Sequence, residues 1–228
     1  MQSSRWVAQG NVYLVAEGEA LTAERVRAEV GDTDGILEVL GRSDDWVEIA
    51  IWNPDGSRAE LSGNGTRIAA RWLADETGAQ RVTVRVGARE VVATMRADGL
   101  VEQAIGAVVV GAAEELDGVR FVPVDVGNPH AVVEADPAEL SRVGPFLETH
   151  PRFPNRTNVQ VARRAGGGLV EARVWERGAG ETASSGTSAV AVAAALGVDD
   201  ATIRFPGGDL HVRLEGGQAF LTGPAERV

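Results

Sequence analysis

"AELSGNGTRIAARW", residues 59–72, decides the fold. A short polar run, Ser62-Gly63-Asn64-Gly65, opens straight into a segment whose apolar residues recur at helical spacing. Over a hundred residues later "ETASSGTSAVAVAAAL", residues 181–196, repeats the device, with Ser185-Gly186-Thr187-Ser188 opening a second helix. Serine is a favoured N-cap, so either helix start alone has a plain structural explanation. Two of them in matched surroundings point to two related halves.

Outward from these helices the order of elements recurs. The first half starts with an aromatic and aliphatic strand pattern, "RWVAQGNVYLVAE", broken by a turn at Gly10-Asn11. A short helix over 22–30 follows, capped by Thr22, and then two strands within "GILEVLGRSDDWVEIAIWNPDG". The helix after Ser62 is predicted to run to about Glu76 and to stop at Gly78. "RVTVRVGAREVVATM" alternates on both sides of Gly87 and reads as a hairpin. The stretch 108–120 reads as a crossover. After it come two strands around Gly127-Asn128-Pro129 and a helix capped by Asp136 with Pro137 in its first turn. Strands in "TNVQVARR" and "LVEARVWERG", the helix after Ser185 and closing strands complete the second half.

The predicted fold class is therefore α+β, with two pseudo-symmetric lobes, each a mixed or antiparallel sheet wrapped around a central helix. "AVAVAAAL" lacks a polar face, which suits a helix enclosed by sheet. The lobes are placed at 1–112 and 113–216, with the last strand, about 217–228, returning to the first lobe and the active site in the cleft between them.

Composition removes several classes of function. The 228 residues contain no cysteine, which excludes disulfides, thiolate metal sites and thiol nucleophiles. They contain no lysine either, so no Schiff base to pyridoxal phosphate can form. His130, His150 and His211 show no metal-ligand spacing, so no metal and no other cofactor is expected. A net charge of −11 argues against a nucleic-acid partner. No apolar run approaches the roughly 18 residues of a membrane span, and no signal peptide is evident. A cytoplasmic protein acting on a small molecule is the expectation.

A helix start leaves backbone N–H groups without intrahelical partners, and with the dipole these attract a carboxylate. Nine residues before Ser62 sits Asn53, and nine before Ser185 sits Glu176, each at a polar strand end. The six asparagines all lie in or beside Gly- or Pro-containing breaks. Asparagine suits turns, and it also hydrogen-bonds ammonium and carboxylate without adding charge. Arg177 offers a bidentate grip on a carboxylate, the alternative being a surface ion pair with Glu176.

Five stretches, "QGNVYLV", "NPDGSRAELSGNGTR", "VGNPHAVV", "VGPFLETHPRFPNRTNV" and "ERGAGETASSGTS", together resemble the diaminopimelate epimerase family. The tail "FPGGDLHVRLEGGQAFLTGPAERV" is similar to that family's ending, so the resemblance runs the length of the chain. It implies a cofactor-independent epimerase that converts LL- to meso-diaminopimelate for lysine and cell-wall synthesis. It implies two lobes that each give one central helix and one catalytic residue, and it allows a homodimer. By motif, Asn11, Asn53, Asn128 and Asn158 would contact the substrate. Gly63 with Asn64 and Gly186 with Thr187 would supply backbone donors, and Glu176 with Arg177 would hold the polar end. His130 and Glu176 would tune the catalytic pair at positions 62 and 185.

One departure matters most. The family has cysteine at both catalytic positions, and here they are Ser62 and Ser185. A thiol of pKa ~8.5 can be pulled as low as ~3.5 at a helix start. A hydroxyl lies far higher, close to water. That gap of about 7 units corresponds to roughly 10 kcal/mol, and a helix dipole contributes only ~0.3–2 kcal/mol. Serine therefore needs an adjacent general base, for which His130 and Glu176 are the motif candidates. Three readings follow: a two-base amino-acid epimerase, a dehydratase or lyase on the same fold, and a non-catalytic amino-acid-binding homologue.

Overall fold

The computed structural model of the chain describes residues 2–18, 20–59 and 61–228, so Glu60 of the first quoted stretch lies outside it. By contact the chain divides into two units, Met1–Ala104 with Thr222–Val228, and Ile105–Leu221. The sequence places these limits near 112 and 217.

In the first unit, β1 (Gln2–Ala8) and β2 (Asn11–Glu17) form an antiparallel hairpin. Its turn is Gln9-Gly10, both at positive φ (51° and 77°), one residue earlier than the sequence suggests. A two-residue turn with both φ positive matches the strand twist, and it leaves Asn11 opening β2 opposite Ala8. The helix α1 (Ala23–Glu29) starts at Thr22, whose hydroxyl accepts from Arg25 N at 3.3 Å. β3 (Gly35–Arg42) runs parallel to β2, and β4 (Trp46–Trp52) antiparallel to β3. After the short β5 (Arg58–Ala59) comes α2 (Gly63–Thr77), which ends at Gly78 in the left-handed conformation (φ 78°) that glycine adopts without strain. β6 (Arg81–Val86) pairs parallel with β4 and antiparallel with β7 (Arg89–Met95). β8 (Val101–Ala107) follows antiparallel to β7, and within it the chain enters the second unit.

The stretch 108–120 is not a plain crossover. It holds β9 (Val109–Val110), β10 (Glu114–Leu116) and the start of β11 (Val119–Asp125). Asp117-Gly118, both at positive φ, is a hairpin turn joining β10 to β11. The glycines obscured this pattern, since a linker and a closely packed edge share them. Gly111 sits against Pro123, where a Cβ would approach Pro123 Cγ to 2.8 Å.

β12 (Pro129–Glu134) pairs antiparallel with β11. Asp136 then caps a 3-10 turn, Pro137–Glu139, accepting from Ala138 N at 2.9 Å, before α3 (Leu140–Glu148). β13 (Asn158–Gly166) lies parallel to β12, and β14 (Leu169–Glu176) antiparallel to β13. β15 (Gly180–Thr182) leads into α4 (Gly186–Ala195). β16 (Asp200–Phe205) is parallel to β14, followed by β17 (Gly208–Glu215) and β18 (Gln218–Gly223). β19 (Glu226–Arg227) pairs with β1 in the first unit.

Each unit thus contains the same order: hairpin, outer helix, parallel strand, antiparallel partner, short strand, central helix, hairpin. The mixed sheet packs one face on the central helix and the other on the outer helix. α2 lies in a cluster with Leu37, Ile49, Ile51, Val82 and Val84, while α1 packs with Ile36 and Trp52 on the opposite face. α4 lies among Val174, Ile203, Leu210 and Val212, while α3 packs with Phe121, Val159 and Val161. Val190 and Val192 are wholly enclosed, and each such side chain stabilises by about 1.5–3 kcal/mol. No helix of the described residues is long and apolar enough to cross a membrane.

Candidate active site

In the first unit Ser62 is the N-cap of α2, in extended conformation (φ −137°, ψ 119°). Its Oγ accepts from Gly65 N at 3.0 Å and lies 3.4 Å from the Tyr13 hydroxyl. Ser62 O accepts from Thr66 N at 2.8 Å. Helix geometry leaves the Gly63 and Asn64 amides without intrahelical partners. A Cβ at Gly65 would come 3.2 Å from Ser62 Cβ and 3.1 Å from Leu37 Cδ2, tight enough that those side chains would have to shift slightly.

Asn64 and Asn11 meet directly, Asn64 Nδ2 donating to Asn11 Oδ1 at 2.6 Å. Behind them lies Arg67, fully buried on α2. Its Nη2 donates to Asn64 Oδ1 at 2.6 Å and its Nε to Pro224 O at 2.9 Å. Among the described residues no carboxylate pairs with it. Burial lowers its pKa to about 10, so the guanidinium stays charged at neutral pH. Asn53, just past β4, belongs to a turn, its Nδ2 donating to Ser57 Oγ at 2.9 Å and its N–H to Ser57 O at 2.9 Å.

In the second unit Ser185 is the N-cap of α4, with no capping bond from its side chain. Its hydroxyl instead lies beside the Glu176 carboxyl and helps to hold that group's proton affinity down. Glu176 Oε1 also accepts from Thr182 Oγ1 at 2.6 Å. Burial pushes the Glu176 carboxyl above the ordinary glutamate range, and the Thr182 and Ser185 hydroxyls only partly offset that. The Gly186 and Thr187 amides lie in the first turn, where helix geometry gives them no partner.

His130 is buried and both ring nitrogens are engaged. Nε2 lies 2.9 Å from Asn128 Oδ1, and Nδ1 lies 3.0 Å from Gln160 Nε2. With an amide N–H toward Nδ1, that atom accepts, so the proton sits on Nε2 and is donated to Asn128. Burial lowers the pKa to about 3, so the ring is neutral. Gln160 Nε2 also donates to Ser188 Oγ at 2.9 Å, and Asn128 Nδ2 approaches Thr187 Oγ1 at 3.5 Å. A polar chain thus ties both sides of the α4 first turn to β12 and β13. Asn158 holds Pro129 O through Nδ2 (3.0 Å) and accepts from Arg177 N through Oδ1 (3.0 Å).

The structure therefore gathers Ser62, Gly63, Asn64 and Asn11 at one helix start. It gathers Ser185 with Glu176, and Asn128, His130 and Thr187 with one another, at the second. Asn158 and Arg177 form their own pair. No ion pair links Glu176 to Arg177, whose guanidinium donates to Asn155 O at 3.4 Å. His130 is occupied by Asn128 and Gln160 rather than by a serine. Sequence reasoning missed Tyr13, Arg67, Gln160, Thr182 and Ser188. Gln160 alternates with Val159 and Val161, which reads as a polar outer face, but β13 is buried on both faces at this end. Arg67 sits five residues after Ser62 in a helix start, where arginine gives no sign of burial. Among the described residues no group of three His, Cys, Asp or Glu side chains is placed to hold a metal ion.

The profile of a family described as diaminopimelate epimerase matches residues 122–228. The diaminopimelate epimerase of Synechococcus elongatus is 33% identical over 100% of this chain and 96% of its own length. That of Thermobifida fusca is 43% identical over 76% of this chain and 68% of its own. Among solved structures, a phenazine biosynthesis protein of the PhzF family from Bacillus anthracis superposes with a TM-score of 0.73 at 15% identity, covering 99% of this chain and 96% of that one. That last likeness concerns the fold.

Proposed function

Because this chain belongs to the diaminopimelate epimerase family, we propose that it epimerises the α-carbon of an amino acid, diaminopimelate above all, without pyridoxal phosphate. The observation that carries the proposal is the Ser185–Glu176 pair at the start of α4. A serine hydroxyl needs a base, and Glu176 is a carboxylate of raised proton affinity that lies beside it. In this reading the substrate Cα proton passes to Ser185 Oγ as the hydroxyl proton passes to Glu176. Inversion needs a second acid to return a proton to the other face, a role the family motif gives to Ser62; solvent then reprotonates Ser62 and takes the proton from Glu176. The Gly63, Asn64, Gly186 and Thr187 amides and the side chains of Asn11, Asn53, Asn128 and Asn158 hold the carboxylate and ammonium groups. Asn158 does so with the one N–H and one lone pair that Pro129 and Arg177 leave it. Arg177 grips the far polar end. His130, neutral and enclosed, sets Asn128 rather than taking a proton itself. The protein works in the cytoplasm on a free amino acid, in lysine biosynthesis, and a homodimer is its expected form.

A second reading, an amino-acid-binding protein without turnover, draws on Ser62. Its Oγ lies on Gly65 N and near Tyr13, and neither is a base. Incubation with LL- and meso-diaminopimelate in heavy water separates the readings. Exchange of the Cα proton with inversion supports epimerisation. Loss of water or ammonia points to a lyase, and binding without exchange to the second reading. The S62C/S185C double variant should raise turnover by about 10²–10⁴, the range a matched acid–base pair supplies.

A further inference from the structure

One buried carboxylate in the second unit takes no part in the chemistry above. Glu148 is the last residue of α3, and its side chain is nearly enclosed. Its Oε2 accepts from Trp175 Nε1 at 2.7 Å. Its Oε1 accepts from Gly178 N at 2.8 Å and from Arg156 Nη1 at 3.3 Å. Trp175 and Gly178 bracket the dipeptide Glu176-Arg177. One side chain therefore bolts down the residue before that dipeptide and the residue after it. Asn158 holds the middle, through Arg177 N. Packing reinforces the contact: a Cβ at Gly144 on α3 would come 2.8 Å from Trp175 Cγ.

Glu148 remains ionised. Burial pushes its carboxyl up, but the Trp175 indole, the Gly178 amide and Arg156 together outweigh that and hold it below the ordinary glutamate range. Its hydrogen bonds are thus charge-assisted, roughly twice as strong as neutral ones. The first unit arrives at the same device from another element. Glu38 on β3 accepts from Leu21 N at 2.7 Å, from Trp52 Nε1 at 2.7 Å and from Arg58 at 3.5 Å. Trp52 directly precedes Asn53, as Trp175 directly precedes Glu176. Topologically equivalent strand ends are clamped by an indole on a buried carboxylate, though the carboxylates come from a strand in one unit and a helix in the other.

We propose that Glu148 is the positioning residue for Glu176 and Arg177, holding the Glu176 carboxylate over Ser185 by gripping both flanks of the dipeptide. The role assigned to Glu176 rests on the epimerase reading; the clamp itself does not. The test titrates the Glu176 carboxyl by carbon-13 NMR in wild type, E148D, E148Q and, as control, E38Q. E148D keeps the charge but shortens the reach by one methylene, so it separates position from electrostatics. The expected result is a fall of the Glu176 midpoint toward the ordinary value of about 4.3 in both Glu148 variants, with E38Q unchanged. A folded E148D with a wild-type Glu176 midpoint overturns the proposal.

A measurement on the wild type covers variants that fail to fold. The Gly178 amide and Trp175 indole protons should shift together with one midpoint below the ordinary glutamate value. If either stays flat through that step, the clamp is wrong. Absence of epimerase activity alters neither readout, so the two readings fail separately.

Discussion

The starts of α2 and α4 occupy equivalent places in two units of the same strand order, yet they are wired oppositely. Ser62 spends its Oγ as a cap on Gly65 N, whereas Ser185 leaves its helix uncapped and turns to Glu176. Behind Ser62 stands Arg67, buried and still charged; beside the α4 start stands His130, buried and neutral. Shared topology sets where a helix begins. It does not set which groups near that point carry charge. That depends on what each buried side chain finds to bond: Arg67 finds carbonyl oxygens, while His130 finds one amide oxygen and one amide N–H, which a neutral ring satisfies.

The largest effect expected from this contrast lies in the pH dependence of stability. His130 has its folded pKa depressed to about 3, while the unfolded chain titrates near 6.5. Between those values the unfolded state binds the extra proton, so stability is complete above about pH 6.5 and falls as pH drops toward 3. At about 1.36 kcal/mol per unit, the loss attributable to His130 amounts to about 3–5 kcal/mol. H130Q should remove that part of the acid slope in urea titrations at stepped pH. An unchanged slope would mean that the ring is not the group being charged.

A smaller effect is expected at the charged counterpart. R67K keeps the buried charge but gives up the planar fork that reaches Asn64 and Pro224 together, and should cost about 2–4 kcal/mol. R67M orphans the same oxygens but removes the charge that burial disfavours, so it should cost less than R67K. Thermal melts of the two variants settle the order. The reverse order would show that packing of the side chain outweighs its charge.

The smallest effect sharpens the contrast most directly. S62A removes a capping bond and should cost about 1 kcal/mol. S185A removes no cap but takes a donor from Glu176, so its cost should appear only where that carboxyl is ionised and vanish in acid, while proton exchange at the substrate is abolished. Equal losses in the two variants in acid would break the comparison.

Much of the framework was legible beforehand because its signals are local. Thr22, Ser62 and Asp136 cap where the pattern places them, and Gly78 ends α2. The hairpin turns were harder. At Gln9-Gly10 the sequence points one residue late, and at Asp117-Gly118 a real turn hid within a stretch that reads as linker. β8 gave little sign of itself, because Glu102 and Gly106 interrupt its alternation. Of the site, the motif residues could be named, but their bonds could not. For Glu176 the sequence offers a site role and, beside it, a surface ion pair with Arg177; the side chain turns instead to Thr182 and lies beside Ser185.

By itself the sequence determined the doubled order of elements, the two serine-headed helices, and the absence of thiol and lysine chemistry. Spacing, capping and composition depend only on near neighbours along the chain. Tertiary structure alone decided that Arg67 stays charged, that His130 is neutral, and that Ser185 rather than Ser62 faces a carboxylate. Those outcomes depend on how strands distant in sequence exclude water from a side chain and which donors they bring to it.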